Sequence, residues 1–172
     1  MGLTIYQKSV YLIIFNATMI SRSVGKNIRA GESVKDFKVR VFQEIEKLID
    51  KLEEGKLTEK DIIDAIESLV NEFGISFGQA QKPINVILKY HFYLNLFLRK
   101  RRKDNMMKMK KILHCPIDSI TLKKLGKRGI SLTKIDKEKY LEFQREIENR
   151  CNIRIEFDTQ WDERHLREEG IL

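Results

Sequence analysis

The chain has little of what ties small folds together covalently: among its 172 residues only Cys115 and Cys151 are cysteines. Two thiols cannot build the disulfide framework of a secreted mini-domain, and no Cys or His lies near them at zinc-site spacing, so neither staple is expected and no metal is assigned. A reducing, cytoplasmic setting is the corresponding expectation. Long apolar runs are missing too. The run at 10–15 is six residues, and the longer run that ends at Leu98 is interrupted by Asn85, Lys89, His91 and Asn95. Neither has the form of a signal core or a membrane span. Tyr6 stands where a myristoylation signal needs serine or threonine, so no lipid anchor is expected. No glycine loop of the nucleotide-binding type, internal repeat or low-complexity linker occurs. The length suits a single domain over 1–172 with a real core, in which 1–55 can form a small N-terminal lobe and 58–130 the hairpin and catalytic-like core.

What the chain does have is positive charge in one place. The formal net charge is +8, and residues 99–111 hold eight basic residues against one acidic residue, Asp104. A local concentration of cations attracts polyanions, which makes nucleic acid the expected partner. Arg99, Lys100, Arg101, Arg102, Lys108, Lys110 and Lys111 are the candidate phosphate contacts. The bland alternative is a solvated loop. Met106 and Met107 are expected to anchor this stretch on the core.

Hydrophobic spacing predicts an all-α protein, a compact helical domain around one central buried helix. The first twenty residues read as a buried helix, with a strand as the alternative. Ser33 caps a helix whose apolar positions Val34, Phe37, Val41, Ile45, Leu48 and Leu52 form a stripe, and Gly55 ends it. Thr58 and Asp61 form a capping box before a helix buried through Ile62, Ile66, Leu69 and Phe73, and Gly74 terminates it. The next helix is predicted to start near Lys82 and Pro83, after an eight-residue hairpin over 74–81, because proline suits a first turn. Its apolar body makes it the centre of the core. His91 within it reads as a satisfied core histidine. Pro116 breaks the chain, Asp118 caps a short helix, and a last helix follows Asp136, with Tyr140, Phe143, Ile147 and Cys151 on one face. Alternation at Ile153, Ile155 and Phe157 predicts a short strand or an extended segment laid over the helices.

Two residues stand out chemically. Lys82, at the mouth of the central helix in a positive field, is a candidate amine nucleophile, with an ordinary surface lysine as the alternative. Asp118 is a helix cap that can also take a proton or stabilise developing positive charge. Gly74 and Gly78 allow backbone to approach a ligand, and Gln79 and Gln81 flank them as polar contacts. A helix, a glycine-bearing hairpin, a lysine entering the second helix and an apolar residue followed by Asp at a later helix start resemble the helix-hairpin-helix DNA glycosylase and AP lyase superfamily. With Pro-Ile-Asp after a longer gap, the pattern is most similar to the archaeal 8-oxoguanine DNA glycosylase branch. The resemblance implies that Lys82 attacks the sugar C1′ and forms a Schiff base while Asp118 assists, without a cofactor, in a monomeric enzyme that removes a damaged base. Two other readings stay open: a non-catalytic protein that binds DNA or RNA, and a helical module that meets an acidic protein.

Overall fold

Four local signals start and stop the long helices. In this computed structural model, which describes residues 3–17, 24–98, 103–157, 167–168 and 170, Ser33 accepts the Asp36 amide and opens α2 (Val34–Glu54), which Gly55 closes at φ 71°. Thr58 and Asp61 form the reciprocal capping box of α3 (Glu59–Phe73), and Gly74 ends it at φ 66°. Each cap satisfies amides or carbonyls that a helix end leaves bare, a contribution of about 1 kcal/mol. Both helices bury one stripe, Phe37, Val41, Ile45, Leu48 and Leu52 on α2 and Ile62, Ile66, Leu69 and Phe73 on α3.

The stripes converge on α4 (Phe77–Leu98), which packs against α1 (Ile5–Ala17), α2, α3, the short α5 (Lys103–Met109), a 3₁₀ turn (Leu132–Lys134) and α7 (Lys137–Cys151). It is the central helix. From 77 to 89 every residue is buried except Lys82. The chain is all-α: no strand occurs among the described residues. Helix α6 (Ser119–Lys124) begins at Asp118, and α7 begins at Asp136, whose carboxylate accepts the Lys139 amide.

Three expectations are corrected. Helix α4 starts at Phe77, so the link from α3 is Gly74, Ile75 and Ser76, and Pro83 lies inside the helix. The reason is a second capping box: Ser76 accepts the Gln79 amide at 3.2 Å while Gln79 Oε1 accepts the Ser76 amide at 3.1 Å. Helix α1 forms, but it buries Tyr11 and Phe15 and leaves Ile5 82%, Tyr6 85% and Ile13 66% exposed, because only one face meets the core. Residues 152–155 form bends and turns and 156–157 are helical, so no extended segment forms. Asn152 takes the left-handed conformation that ends α7, at φ 59°, which turns the chain back and buries Ile155 and Phe157.

The Lys82–Asp118 site and its supports

Lys82 is the one residue of 77–89 that is not buried, and the side chain it meets comes from 36 positions further on: Lys82 Nζ lies 3.9 Å from Asp118 Oδ2, with side-chain exposures of 19% and 24%. Asp118 is fixed from its other side. Its Oδ1 accepts the Ile120 and Thr121 amides at 2.9 and 3.0 Å, which leaves Oδ2 to face the amine. Capping and ion pairing therefore use different oxygens of one carboxylate.

Two glutamines hold the chain leading to Asp118. Gln81 Nε2 donates to the Ile117 carbonyl at 2.6 Å, and its Oε1 accepts the Ile117 amide at 3.1 Å. From α7, Gln144 treats Cys115 in the same way, at 2.7 and 3.0 Å. An extended segment buried among helices has no strand partner, and an unpaired buried amide or carbonyl costs about 1 to 3 kcal/mol. These side-chain amides stand in for the missing strand. Because Gln81 precedes Lys82 and Ile117 precedes Asp118, the Gln81 clamp also sets the separation of the pair. Thr121 Oγ1 adds a bond to the Pro116 carbonyl at 3.0 Å.

The other residues singled out in the sequence fall in several places. Gly74 is exposed beside Arg29, and its amide donates to Val70 at 2.9 Å. Gly78 is buried, its amide donates to the Ile135 carbonyl at 3.0 Å, and a Cβ there would stand 2.4 Å from the Leu132 carbonyl oxygen. Its lack of a side chain lets the 3₁₀ turn rest on α4. Gln79 caps α4 and Gln81 holds Ile117, so both amides have structural partners. In the basic stretch, Arg99, Lys100, Arg101 and Arg102 lie outside the described residues. Lys108 and Lys111 are exposed, whereas Lys110 is half-buried in a pair with Glu156. Met106 is buried and Met107 is 42% exposed, so one of the two methionines anchors α5.

No family model, curated protein or solved structure matches this chain. Its chemistry is therefore read from its own geometry. A buried polar chain, absent from the sequence reading, runs behind the site. Asn85 donates to Gln81 Oε1 at 2.9 Å and to the Tyr140 hydroxyl at 2.8 Å, Tyr140 bonds His114 Nδ1 at 2.6 Å, and His114 Nε2 bonds Glu59 Oε1 at 2.8 Å. Arg154 reaches the same Glu59 oxygen at 2.6 Å. With Nε2–H donating to the carboxylate, Nδ1 is left to accept the tyrosine proton, so the network selects one tautomer. The His114 bond, with Arg154 beside it, holds Glu59 down to about 2 against the opposing effect of partial burial. Burial pushes His114 below its usual value, partly opposed by Glu59, and pushes the Tyr140 phenol up. Glu59 and Arg154 open onto a groove of about 670 Å³ between α3 and α7. His91 is likewise a buried core histidine, bonded to Tyr11 and to Asn95.

The sequence carried a signal for these supports. Polar residues on a helix that is apolar all round must find buried partners, and Gln81 and Asn85 are such residues.

Proposed function

We propose that this protein acts on DNA as a base-excision-type glycosylase and AP lyase, with Lys82 as the amine nucleophile and Asp118 as its proton-transfer partner. The observation that carries the proposal is the 3.9 Å approach of Lys82 Nζ to Asp118 Oδ2 at the only opening in the buried first half of α4. An amine and a carboxylate 36 positions apart meet there. In the reaction Asp118 Oδ2 accepts a proton from the ammonium, and the freed amine attacks C1′ of the sugar. The C1′–N bond to the base breaks and the base leaves with the electron pair, taking the proton held by Asp118. Asp118 then removes a second proton from the attached nitrogen and passes it to O4′ as the nitrogen lone pair breaks the C1′–O4′ bond, and the ring-opened iminium is the Schiff base. On an abasic sugar the same amine condenses with the C1′ aldehyde and water leaves. A rigid carboxylate near a reacting amine supports both proton transfer and charge stabilisation.

Borohydride trapping tests this reading. DNA with an abasic or oxidised-guanine site should give a covalent adduct with the wild-type protein and none with Lys82→Ala. An adduct that persists in Lys82→Ala would move the nucleophile elsewhere.

A second reading, DNA or RNA binding without catalysis, is favoured by one feature. Among the described residues, three grooves of about 450 to 670 Å³ are lined by residues other than Lys82 and Asp118, whereas a base expelled from the stack needs an enclosing pocket. Binding that survives in every Lys82 variant, together with no adduct on any lesion, would decide for that reading.

A further inference from the structure

Between Asp118 and Asp136 lies a stretch whose composition is one-sided: residues 119–135 contain Lys123, Lys124, Lys127, Arg128 and Lys134 and no acidic residue. Both ends of the stretch are fastened to the Lys82 end of α4. One end is Asp118 itself, beside Lys82. At the other, Ser76 Oγ donates to the Leu132 carbonyl at 2.8 Å and the Gly78 amide donates to the Ile135 carbonyl at 3.0 Å. The stretch is therefore a loop rooted at two points around one lysine, and its tip is Gly126, Lys127, Arg128 and Gly129.

The tip is open. Gly126 and Gly129 are exposed with φ of +79° and +84°, and a Cβ at either would meet nothing within 4 Å. Packing therefore does not require glycine here, as it does at Gly78, and the left-handed backbone is the feature glycine serves. The amides of Arg128 and Gly129 make no hydrogen bond to any described residue. Arg128 is exposed and has no ion-pair partner among the described residues, and Lys127 holds only a loose pair with Glu146 at 3.6 Å. Such a pair in solvent is worth little and a phosphate can displace it.

We propose that this Gly-Lys-Arg-Gly loop clamps the phosphodiester backbone of DNA next to the Lys82–Asp118 pair. Two cations between two glycines, with free amides at the tip, let backbone come close to phosphates while the cations neutralise them, as Gly-x-x-Gly loops do on nucleotide backbones. The inference rests on the reading that the site acts on DNA. It names the element that brings the strand to the lysine, a different one from the 99–111 stretch and from the α3–α4 link. Asp118, at one root of the loop, ties the clamp to the chemistry.

The test is fluorescence anisotropy with a labelled DNA duplex that contains one abasic site, in a salt series, alongside borohydride trapping. The Lys127→Asp/Arg128→Asp double variant should bind roughly tenfold more weakly or worse, because two phosphate contacts are replaced by repulsion. Lys127→Gln/Arg128→Gln should lower the slope of log affinity against log salt by about two, at 0.9 per phosphate contact. Both variants should keep the wild-type unfolding temperature, since the side chains concerned lie at the surface. Trapping by either variant at saturating protein should still give the Lys82 adduct. Wild-type affinity and salt slope in both folded variants would overturn the clamp and leave the Lys82 reading standing. Weakened binding in the variants, with no adduct even in wild type, would support the clamp and sink the lyase chemistry. A wild-type protein that binds no DNA at 50 mM salt, about the low end of the range in which such contacts are strongest, would overturn both.

Discussion

Replacing Gln81 with methionine isolates what the tertiary structure adds to the site. Methionine nearly matches glutamine in shape, so the change creates little cavity and removes mainly hydrogen bonds. The Ile117 carbonyl loses its 2.6 Å donor, the Ile117 amide loses its 3.1 Å acceptor, and Asn85 loses an acceptor at 2.9 Å. Gln81 is fully buried and Ile117 is fully buried, so water does not readily take over. At about 1 to 3 kcal/mol for each buried backbone group left unpaired, and with some return from the more apolar side chain, the expected loss is about 3 kcal/mol. Against a total stability of about 5 to 15 kcal/mol, that is a substantial share. Urea denaturation at pH 7 measures it directly, and the midpoint of thermal unfolding should fall by about 6 to 12 °C. Hydrogen exchange adds the local reading: the Ile117 amide should lose protection by more than amides in the middle of α2. If Lys82 is the nucleophile, the borohydride adduct should also form more slowly in the folded variant, because the segment that carries Asp118 is no longer held. A loss below about 1 kcal/mol with unchanged exchange at Ile117 would refute the reasoning, since it would mean that the clamp contributes less than a single ordinary hydrogen bond.

Three further outcomes follow from the same geometry. Asp118→Asn should leave stability within about 0.5 kcal/mol of wild type, because asparagine caps as well as aspartate, whereas Asp118→Ala should cost about 1 kcal/mol; equal adduct yields in wild type and the asparagine variant would remove the carboxylate from the chemistry. Gly78→Ala should destabilise by about 1 to 3 kcal/mol through overpacking, since its Cβ would meet the Leu132 carbonyl at 2.4 Å and Ile135 Cβ at 2.8 Å, and thermal unfolding that ranks Gly126→Ala as the more damaging change would contradict this placement. Both His114 and Glu59 have lowered folded values, so the unfolded chain binds protons first as pH drops and stability must decrease on acidification. The His114 part begins below about 6.5 and the Glu59 part below about 4.3, the ordinary unfolded values. Half-exposed Glu59 contributes only about 1 kcal/mol after solvent screening. Urea midpoints that rise between pH 7 and 5, or a His114→Gln variant with the same pH profile as wild type, would show the sign to be wrong.

What the sequence determined by itself was everything carried by neighbours in the chain. Helix starts at Ser33, Thr58, Asp118 and Asp136 follow from side chains that reach two or three residues along, helix ends at Gly55 and Gly74 follow from the left-handed backbone glycine allows, and all appear in the structure. The central place of α4 was legible as well, because a helix apolar all round has nowhere else to go. Its first residue is written locally too, in a capping box of Ser76 and Gln79 like that of Thr58 and Asp61, while Pro83, which suits a first turn, points to a later start. Tertiary structure decided the rest. A side chain has no local reason to prefer one partner far along the chain, so the meeting of Lys82 with Asp118, the clamps at Gln81 and Gln144, and the His114 chain arise only once α4, α6 and α7 are packed. The exposure of α1 has the same origin, since apolar spacing shows that a face can be buried, and only the number of helices that reach it fixes how much of it is. The basic loop at Lys127 and Arg128 belongs to both levels: its charge is written in the chain, and the placement of its two roots at the Lys82 end of α4 depends on contacts at Asp118 and at Gly78.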